Sequence, residues 1–430
     1  MAPLGPFGRA PRLAAGVSGG PHSLALALLA DDWARARGGD LLALVIDHGI
    51  RPDSGAEAAG VAAGLAARGI AARVLPLGLP GGPRLQERAR AARLAALARA
   101  AAAAGRPWLL LGHHRADQAE TLLFRALRGS GPAGLAAMAP TRDAGPALLL
   151  RPLLGVPPAA LEAVLAAAGI APVRDPSNAD LRFARIRLRR ALADPGGEGP
   201  GIAALGVAAA AFGLRRARAE AEVAARLALA AEIRPEGFAW IVPRALGADA
   251  TAAAALARLV AVIGGGGFAP GPAAVAALLV RGAGTLGGAW LRPAAGGRWL
   301  LARDPGMMGA AVPARPGAVW DGRFRLAGPG REGVSIGALG AEAGRMPGRG
   351  LPAAVLRSLP ALRDPHGVLA AVPALDYPSE LDCHPFRLVF EPGGRGEFSG
   401  EPFKGGQPDL ICSDDSRRTD PPGSETDNRT

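Results

Sequence analysis

The feature that most limits what this chain can become is an alternation in its first 128 residues: four short apolar stretches, each followed by a helical pattern. Arg12 to Val17, Asp40 to Ile46, Ala72 to Leu77 and Trp108 to Gly112 have the length and apolar density of buried strands. Residues 23–35, 56–68, 84–104 and 116–128 carry the helical periodicity between and after them. Strands that alternate with helices in this way lie parallel, because each helix carries the chain back along the sheet before the next strand begins. The expectation is an α/β fold, a parallel sheet with covering helices, with the strand order left open.

Open sheets of this kind bind ligands beyond the carboxyl ends of their strands, and three polar segments fall there. Ser18-Gly19-Gly20-Pro21-His22-Ser23 joins the first strand to the first helix. Its glycines let the backbone turn tightly and approach an anion, its serine hydroxyls add donors, and the helix start offers free N–H groups with a favourable dipole. The spacing and lysine of a Walker P-loop are absent, as is the GxGxxG dinucleotide fingerprint. A plain turn is the alternative. Asp47-His48-Gly49-Ile50-Arg51 follows the second strand and puts a carboxylate and an imidazole beside that loop, unless Asp47 only closes a turn. Residues 112–121 follow the fourth strand and carry His113, His114, Asp117, Gln118 and Glu120 into a helix, which ends at Arg125, Arg128 and a Gly-rich loop over 129–134. Asp117 and Glu120 share a helix face, a spacing that suits magnesium or a helix cap. The two histidines are candidates for the crevice or for a satisfied cap. Zinc is disfavoured, since no cysteine is near and the histidine pair lacks zincin spacing.

Past residue 156 strand signals fade. Helical segments at 158–168 and 180–192 lead to a Pro/Gly-rich boundary at 195–201, which closes a first domain over 1–195. Residues 202–305 read as a mostly helical domain with two Trp-bearing strands around Trp290 and Trp299, tryptophans expected in the core. Residues 313–378 alternate short strands with Gly/Pro turns, as in a small mixed or β-rich domain. Residues 392–430 offer little to bury and are expected to be a disordered tail.

The formal charge is +12, and all cations but Lys404 are arginines. A GC-rich genome accounts for arginine over lysine but not for the excess over carboxylates, which suits a polyanion. Arg182, Arg185, Arg187, Arg189 and Arg190 crowd one helix, where like charges four apart repel unless an anion neutralises them. RNA backbone would do so; a solvated face, or pairing with Asp175 and Asp180, is the alternative. The only cysteines, Cys383 and Cys412, make no disulfide framework or four-ligand zinc site. No segment reads as a membrane span or signal peptide, so a cytoplasmic location is expected.

In order, Ser-Gly-Gly-x-x-Ser, Asp-His-Gly-x-Arg, His-His-x-x-Asp-Gln-x-Glu-Thr, Arg-x-x-Arg-Gly-Ser-Gly, Asp175-Pro176-Ser177-Asn178 and an Arg-rich helix resemble the tRNA(Ile)-lysidine synthetases of the PP-loop ATP pyrophosphatase superfamily. The resemblance spans about residues 12–192 and extends more loosely beyond. It implies a Rossmann-like sheet of PP-loop ATPase type, ATP and magnesium as cofactors, and a two-step reaction. ATP adenylates the wobble cytidine of a tRNA(Ile) with a CAU anticodon, and L-lysine then displaces AMP to form lysidine. By the same resemblance Ser18 to Ser23 hold the ATP phosphates and Asp47 with His48 lies near the nucleotide. Asp117, Gln118 and Glu120 face cytidine, lysine or magnesium, with magnesium near Asp117. Arg125, Arg128 and the arginines of 182–190 meet tRNA, and a homodimer is compatible with it. The family loop reads Ser-Gly-Gly-x-Asp-Ser, whereas this chain has His22 at the Asp position, a group whose protonated form would attract phosphate. The site is expected to work nonetheless. The alternatives are another PP-loop tRNA-modifying ATPase, against which the lack of cysteine before Cys383 counts for thiolation, or a non-catalytic tRNA-binding relative.

Overall fold

The computed structural model describes residues 1–47, 49, 53–78, 85–173, 184–266, 269–378, 386–392 and 397–398. Its first region follows the expected alternation: β1 (Arg12–Val17), α1 (Pro21–Arg35), β2 (Asp40–Asp47), α2 (Ser54–Ala66), β3 (Ala71–Pro76), α3 (Leu85–Ala103), β4 (Trp108–Leu111) and α4 (Arg115–Ala126). A one-turn α5 (Pro132–Leu135), β5 (Thr141–Asp143), β6 (Leu148–Leu150), α6 (Pro158–Ala167) and α7 (Ala184–Leu192) complete it. Each boundary of the first eight elements lies within a few residues of the sequence reading. β5 and β6 were not anticipated: three-residue strands are too short to show a period, and β6 is an unbroken run of leucine.

The strands of this region lie in the order β5-β6-β4-β1-β2-β3, with β6, β4, β1, β2 and β3 mutually parallel and β5 antiparallel to β6. The chain leaves β1 towards β2 on one side and places β4 on the other, so β1 and β4 flank the point where strand order reverses. Helices cover both faces. Leu13, Ala15 and Val17 of β1 pack under α1, α2 and α6 with Leu24, Ala27, Leu65 and Leu161. Ala14, one residue out of phase, faces the opposite layer with Leu97, Ala98 and Ala101 of α3. Alanine suits these positions because it lets helices lie close to a sheet with little side-chain entropy to lose.

α8 (Pro200–Ala230) begins inside the stretch expected as a domain boundary. Pro200 is its first residue and so disturbs nothing, since the first helical N–H has no partner to lose. α8 packs on α4 and α5 and leads into the second domain: β7 (Ala231–Arg234), β8 (Phe238–Ile241), α9 (Pro243–Leu246), α10 (Ala250–Gly264), α11 (Pro272–Arg281), β9 (Gly284–Leu286), β10 (Ala289–Pro293) and β11 (Trp299–Arg303). The five strands form an antiparallel sheet, β7-β8-β11-β10-β9. One face of it packs on α10 and α11; the other, bearing Phe238, Leu300 and Ala302, meets Leu339, Val355 and Leu359 of the third region, with Trp240 and Trp290 half-buried alongside.

That third region holds β12 (Val312–Pro313), β13 (Val319–Trp320), β14 (Phe324–Leu326), β15 (Ser335–Ala338), α12 (Ala353–Arg357), β16 (Pro360–Arg363), β17 (Leu369–Ala371) and β18 (Leu388–Phe390) in two small antiparallel sheets. It is a mixed, β-rich unit as expected, but it does not stop at 378, since β18 pairs with β14 and Glu391 forms a bidentate ion pair with Arg325. Within the stretch expected as a tail, β19 (Glu397–Phe398) pairs with Thr141 and Arg142 of β5. An edge strand presents unsatisfied N–H and C=O groups to any chain that reaches it. The remaining tail residues, 399–430, lie outside the described residues. Among the described residues no helix is long and apolar enough to cross a membrane.

Candidate functional site

The crevice lies where β1 and β4 part, at the carboxyl ends of the strands, where loops from the two halves of the sheet diverge. After β1 the chain turns through Gly19 at φ +77°, and a Cβ there would sit 2.7 Å from Val61. α1 then begins at Pro21 with no side-chain cap, leaving the N–H groups of its first turn free for an anion. Ser23 steadies the loop: its hydroxyl donates to Gly20 O at 2.9 Å, accepts from Ser18 N at 3.1 Å and lies 3.2 Å from the Ser18 hydroxyl. Gly112 brings the β4 loop against this turn, since a Cβ would stand 2.9 Å from His22 O.

His114 follows, and its ring meets the His22 ring edge-on at 4.1 Å. Burial first, then the His114 ring, push the His22 pKa down to about 4. Burial likewise lowers His114, and lowers His113 to about 3. Burial thus shifts all three imidazoles towards the neutral form, and His22 Nε2, His113 Nδ1 and His114 Nδ1 are buried without a hydrogen-bond partner among the described residues. The expectation that the protonated form of His22 would attract phosphate stands beside surroundings that lower its pKa.

The acidic residues of α4 separate by role. Asp117 Oδ2 accepts the His114 N–H at 3.0 Å, and its other oxygen faces Arg189 at 3.7 Å. Burial raises its pKa, but His114, His113 and Arg189 outweigh that and hold it below the usual carboxylate range. Glu120, 2% exposed, takes Arg189 of α7 on both oxygens at 2.6 and 3.2 Å. Burial raises the pKa of Glu120 against the pull of Arg189. Gln118 does not face the crevice. Its amide is buried and exchanges two hydrogen bonds with the Met138 backbone, at 2.8 and 3.0 Å, pinning the loop after α5. The helical period accounts for this, since residues 117 and 118 point about 100° apart.

Asp47, at the end of β2, accepts Gly49 N–H at 3.0 Å and the Ser54 hydroxyl at 2.6 Å. Its carboxylate thus organises the turn into α2. Arg125, expected to meet RNA, instead donates to Gly134 O and Ala137 O at 3.0 and 2.7 Å, bracing its loop because two buried-side carbonyls lie within its reach. Arg128 is exposed and lies over the Phe124 ring at 4.3 Å. On α7, Arg187 and Arg190 are exposed while Arg189 is tied to α4. His48, Arg182 and the Asp175 to Asn178 motif lie outside the described residues.

Asp47, Asp117 and Glu120 accept the hydrogen bonds named above, and among the described residues no group of three or more metal-ligating side chains occurs. Sequence reasoning missed Arg90 and Arg93 of α3 and Arg142 of β5, of which Arg93 and Arg142 lie near enough for their charges to act on Arg90. The available signal was positional: α3 follows β3, so its first turns start at the carboxyl edge.

A PP-loop domain family model matches residues 4–195, the sheet and the helices that bear these loops. The tRNA(Ile)-lysidine synthase of Novosphingobium aromaticivorans is 42% identical over 301 residues, 68% of this chain and 89% of that protein. That of Ruegeria pomeroyi is 37% identical over 359 residues, 77% of this chain and 80% of the relative. That of Methylobacterium sp. strain 4-46 is 43% identical over 261 residues, 60% and 73% of the two chains. Among solved structures, a U34-tRNA thiolase from Methanococcus maripaludis aligns with TM-score 0.41 and 15% identity, over 48% of this chain and 74% of the thiolase. Relatives matched across the nucleotide-type sheet and well into the domains beyond it leave one assignment: the chain belongs to the tRNA(Ile)-lysidine synthase family.

Proposed function

We propose that this enzyme uses its switch-point crevice to adenylate the wobble cytidine of a tRNA(Ile) bearing a CAU anticodon, and then to join L-lysine to the activated base. In the first step the C2 oxygen of cytidine attacks the α-phosphorus of ATP, the bond to the β-phosphate oxygen breaks, and pyrophosphate leaves. In the second the uncharged amine of lysine attacks C2, AMP departs with the oxygen, and the amine gives up its proton. The observation that carries this reading is the uncapped start of α1 behind the Gly19 turn, beside the loop after β4, in a chain whose relatives are lysidine synthases.

The residues divide the work. Free N–H groups at the start of α1, with Ser18 and Ser23, hold triphosphate oxygens and stabilise the charge that collects on departing pyrophosphate. His22 and His114 line the same pocket as neutral groups able to give or take one hydrogen bond each. Asp117 keeps the β4 loop in register through the His114 N–H, and the Arg189 to Glu120 pair fixes α7 against α4. With the base and the α-phosphate held in contact, positioning supplies much of the acceleration. Magnesium fits here as an ion carried by the phosphates and water, the usual arrangement for nucleotide-bound magnesium. A reducing cytoplasm, where tRNA, lysine and ATP meet, suits a chain with two cysteines in its sequence.

The test is ATP–pyrophosphate exchange. Exchange that requires the CAU isoleucine tRNA, with AMP formed when lysine is added, supports the reading. A folded sample that binds tRNA but releases neither AMP nor pyrophosphate rejects it in favour of a non-catalytic relative.

A further inference from the structure

The loop after β4 has two sides. His114 turns to α1 and meets His22, whereas His113 turns to the opposite layer, where Arg151, Arg90 and Arg93 lie near it. Topology places four of the cations near one another independently of any titration. Arg90 and Arg93 sit in the first turns of α3 at the carboxyl edge, Arg151 directly follows β6, and Arg142 lies on the neighbouring β5. Arg185 of α7 reaches the same place, as the strongest charge acting on Arg90.

Among the described residues Arg90, Arg93, Arg142 and Arg185 lack counterions of their own. There Asp117 is the carboxylate that acts on Arg90, and it is shared with His114 and Arg189. Arg90, Arg93, Arg142 and Arg185 have no ion pair or side-chain hydrogen bond among the described residues, and Arg142 Nε is buried without a partner. Desolvation first, then the charges of Arg185 and Arg93, hold Arg90 below its ordinary pKa although the residue as a whole is exposed. Guanidinium groups remain charged regardless, so the described residues leave this cationic pocket unneutralised, and it is stable to the extent that a ligand completes it. One carboxylate cannot neutralise four cations on three elements. A sugar–phosphate backbone, with a charge at every nucleotide and planar oxygens that match guanidinium forks, can.

We propose that Arg90, Arg93, Arg142 and Arg185 form a phosphodiester-binding subsite that grips the RNA backbone beside the target base, across the β4 loop from the bound nucleotide. It rests on the adenylation reading, because the base has to reach the pocket behind Gly19 while its own backbone stays outside. The loop bearing His113 and His114 then stands between two polyanions, the triphosphate on one side and the RNA strand on the other.

The full-length protein is compared with an Arg90→Gln, Arg142→Gln double variant, by binding of a CAU isoleucine tRNA transcript across a salt series and of ATP alone. The subsite predicts ~10-fold weaker tRNA binding near physiological salt, and a plot of log affinity against log salt that is shallower by about 1 to 2. ATP affinity stays within about twofold, which also shows that the variant folds, and the Lys double variant recovers part of the loss because it restores charge without the planar fork. Unchanged tRNA affinity and slope overturn the subsite. So does a raised KM for lysine with tRNA binding intact, which would assign the pocket to the amino acid's carboxylate. Wild-type protein that fails to bind tRNA at all removes the synthase reading and the subsite together, whereas wild type that binds and a variant that matches it remove the subsite alone.

Discussion

Gly19 is the tightly constrained residue of the crevice loop, because its positive φ and the 2.7 Å approach of Val61 to any added Cβ both disfavour a side chain there. Gly19→Ala is expected to cost roughly 1–2 kcal/mol in backbone strain alone and to displace the loop that receives phosphate. Equilibrium unfolding and ATP titration would show a less stable protein with nucleotide binding reduced at least tenfold, on the order expected when a pre-formed anion cradle is lost. His22 makes a different forecast. Its pKa is about 4 in the folded chain and near 6.5 when unfolded, so between those values the unfolded state binds more protons. Stability is complete above about pH 6.5 and declines as pH falls towards 4. His22→Asn should remove about 1 kcal/mol of that decline between pH 7.5 and 5, after allowance for partial exposure. Urea unfolding curves that shift in parallel for both proteins would contradict it. The sequence shows a cradle and an imidazole at position 22, but neutrality depends on His114 and on burial, neither of which is adjacent in the chain.

At the scale of elements, α4 shows what periodicity can and cannot tell. The polar residues from Asp117 to Glu120 read as one functional group, yet their directions around the helix divide them between the crevice, the Met138 loop and α7. Gln118 has two hydrogen bonds to the Met138 backbone, and Gln118→Leu would leave a buried N–H and C=O unpaired. A loss of roughly 2–4 kcal/mol follows, at ~1–3 kcal/mol per stranded group with partial relaxation, and the thermal midpoint reads it. Arg189→Met leaves Glu120 buried without its cation. The expectation is a protein that still binds ATP but turns over at least tenfold more slowly with tRNA, because α7 no longer docks on α4; unaltered kcat and KM for tRNA would show that the pair is dispensable. The strands β1 to β4 were legible because their apolar runs have strand length and flanking helices. β5 and β6 were not, since three residues define no period, and their place in the sheet comes from pairing with β4.

For the molecule as a whole, the second and third regions share one ionic junction. Asp321 of the third region binds Arg303 of β11 through both oxygens, at 2.8 and 2.9 Å, and also Arg323, which is fully buried. Arg323 reaches on to the Gly237 and Ser358 carbonyls, one in each region. Asp321→Ala strands two guanidinium groups and is expected to cost about 3–5 kcal/mol, enough for limited proteolysis to separate the regions where wild type resists. The composition signals placed the region boundaries near 195–201 and 305–313, but not this junction, because Arg303, Asp321 and Arg323 look like any other charges in an Arg-rich chain. Nor did they reveal that α8 runs unbroken across the first boundary, since Pro and Gly mark a helix start as readily as a break. The family motifs were legible because phosphate chemistry restricts residue types at fixed spacing, whereas the arginine cluster around His113 is assembled from three separate elements.

The account as a whole rests on the crevice between β1 and β4 being the place where cytidine is activated and joined to lysine. Incubation of the full chain with ATP, labelled lysine and a CAU isoleucine tRNA, followed by nucleoside analysis, measures this directly. The account predicts label in lysidine at the wobble position, with AMP and pyrophosphate formed in equal amounts and both lost in Gly19→Ala. Folded protein that binds the tRNA and ATP yet leaves the cytidine unchanged would contradict it.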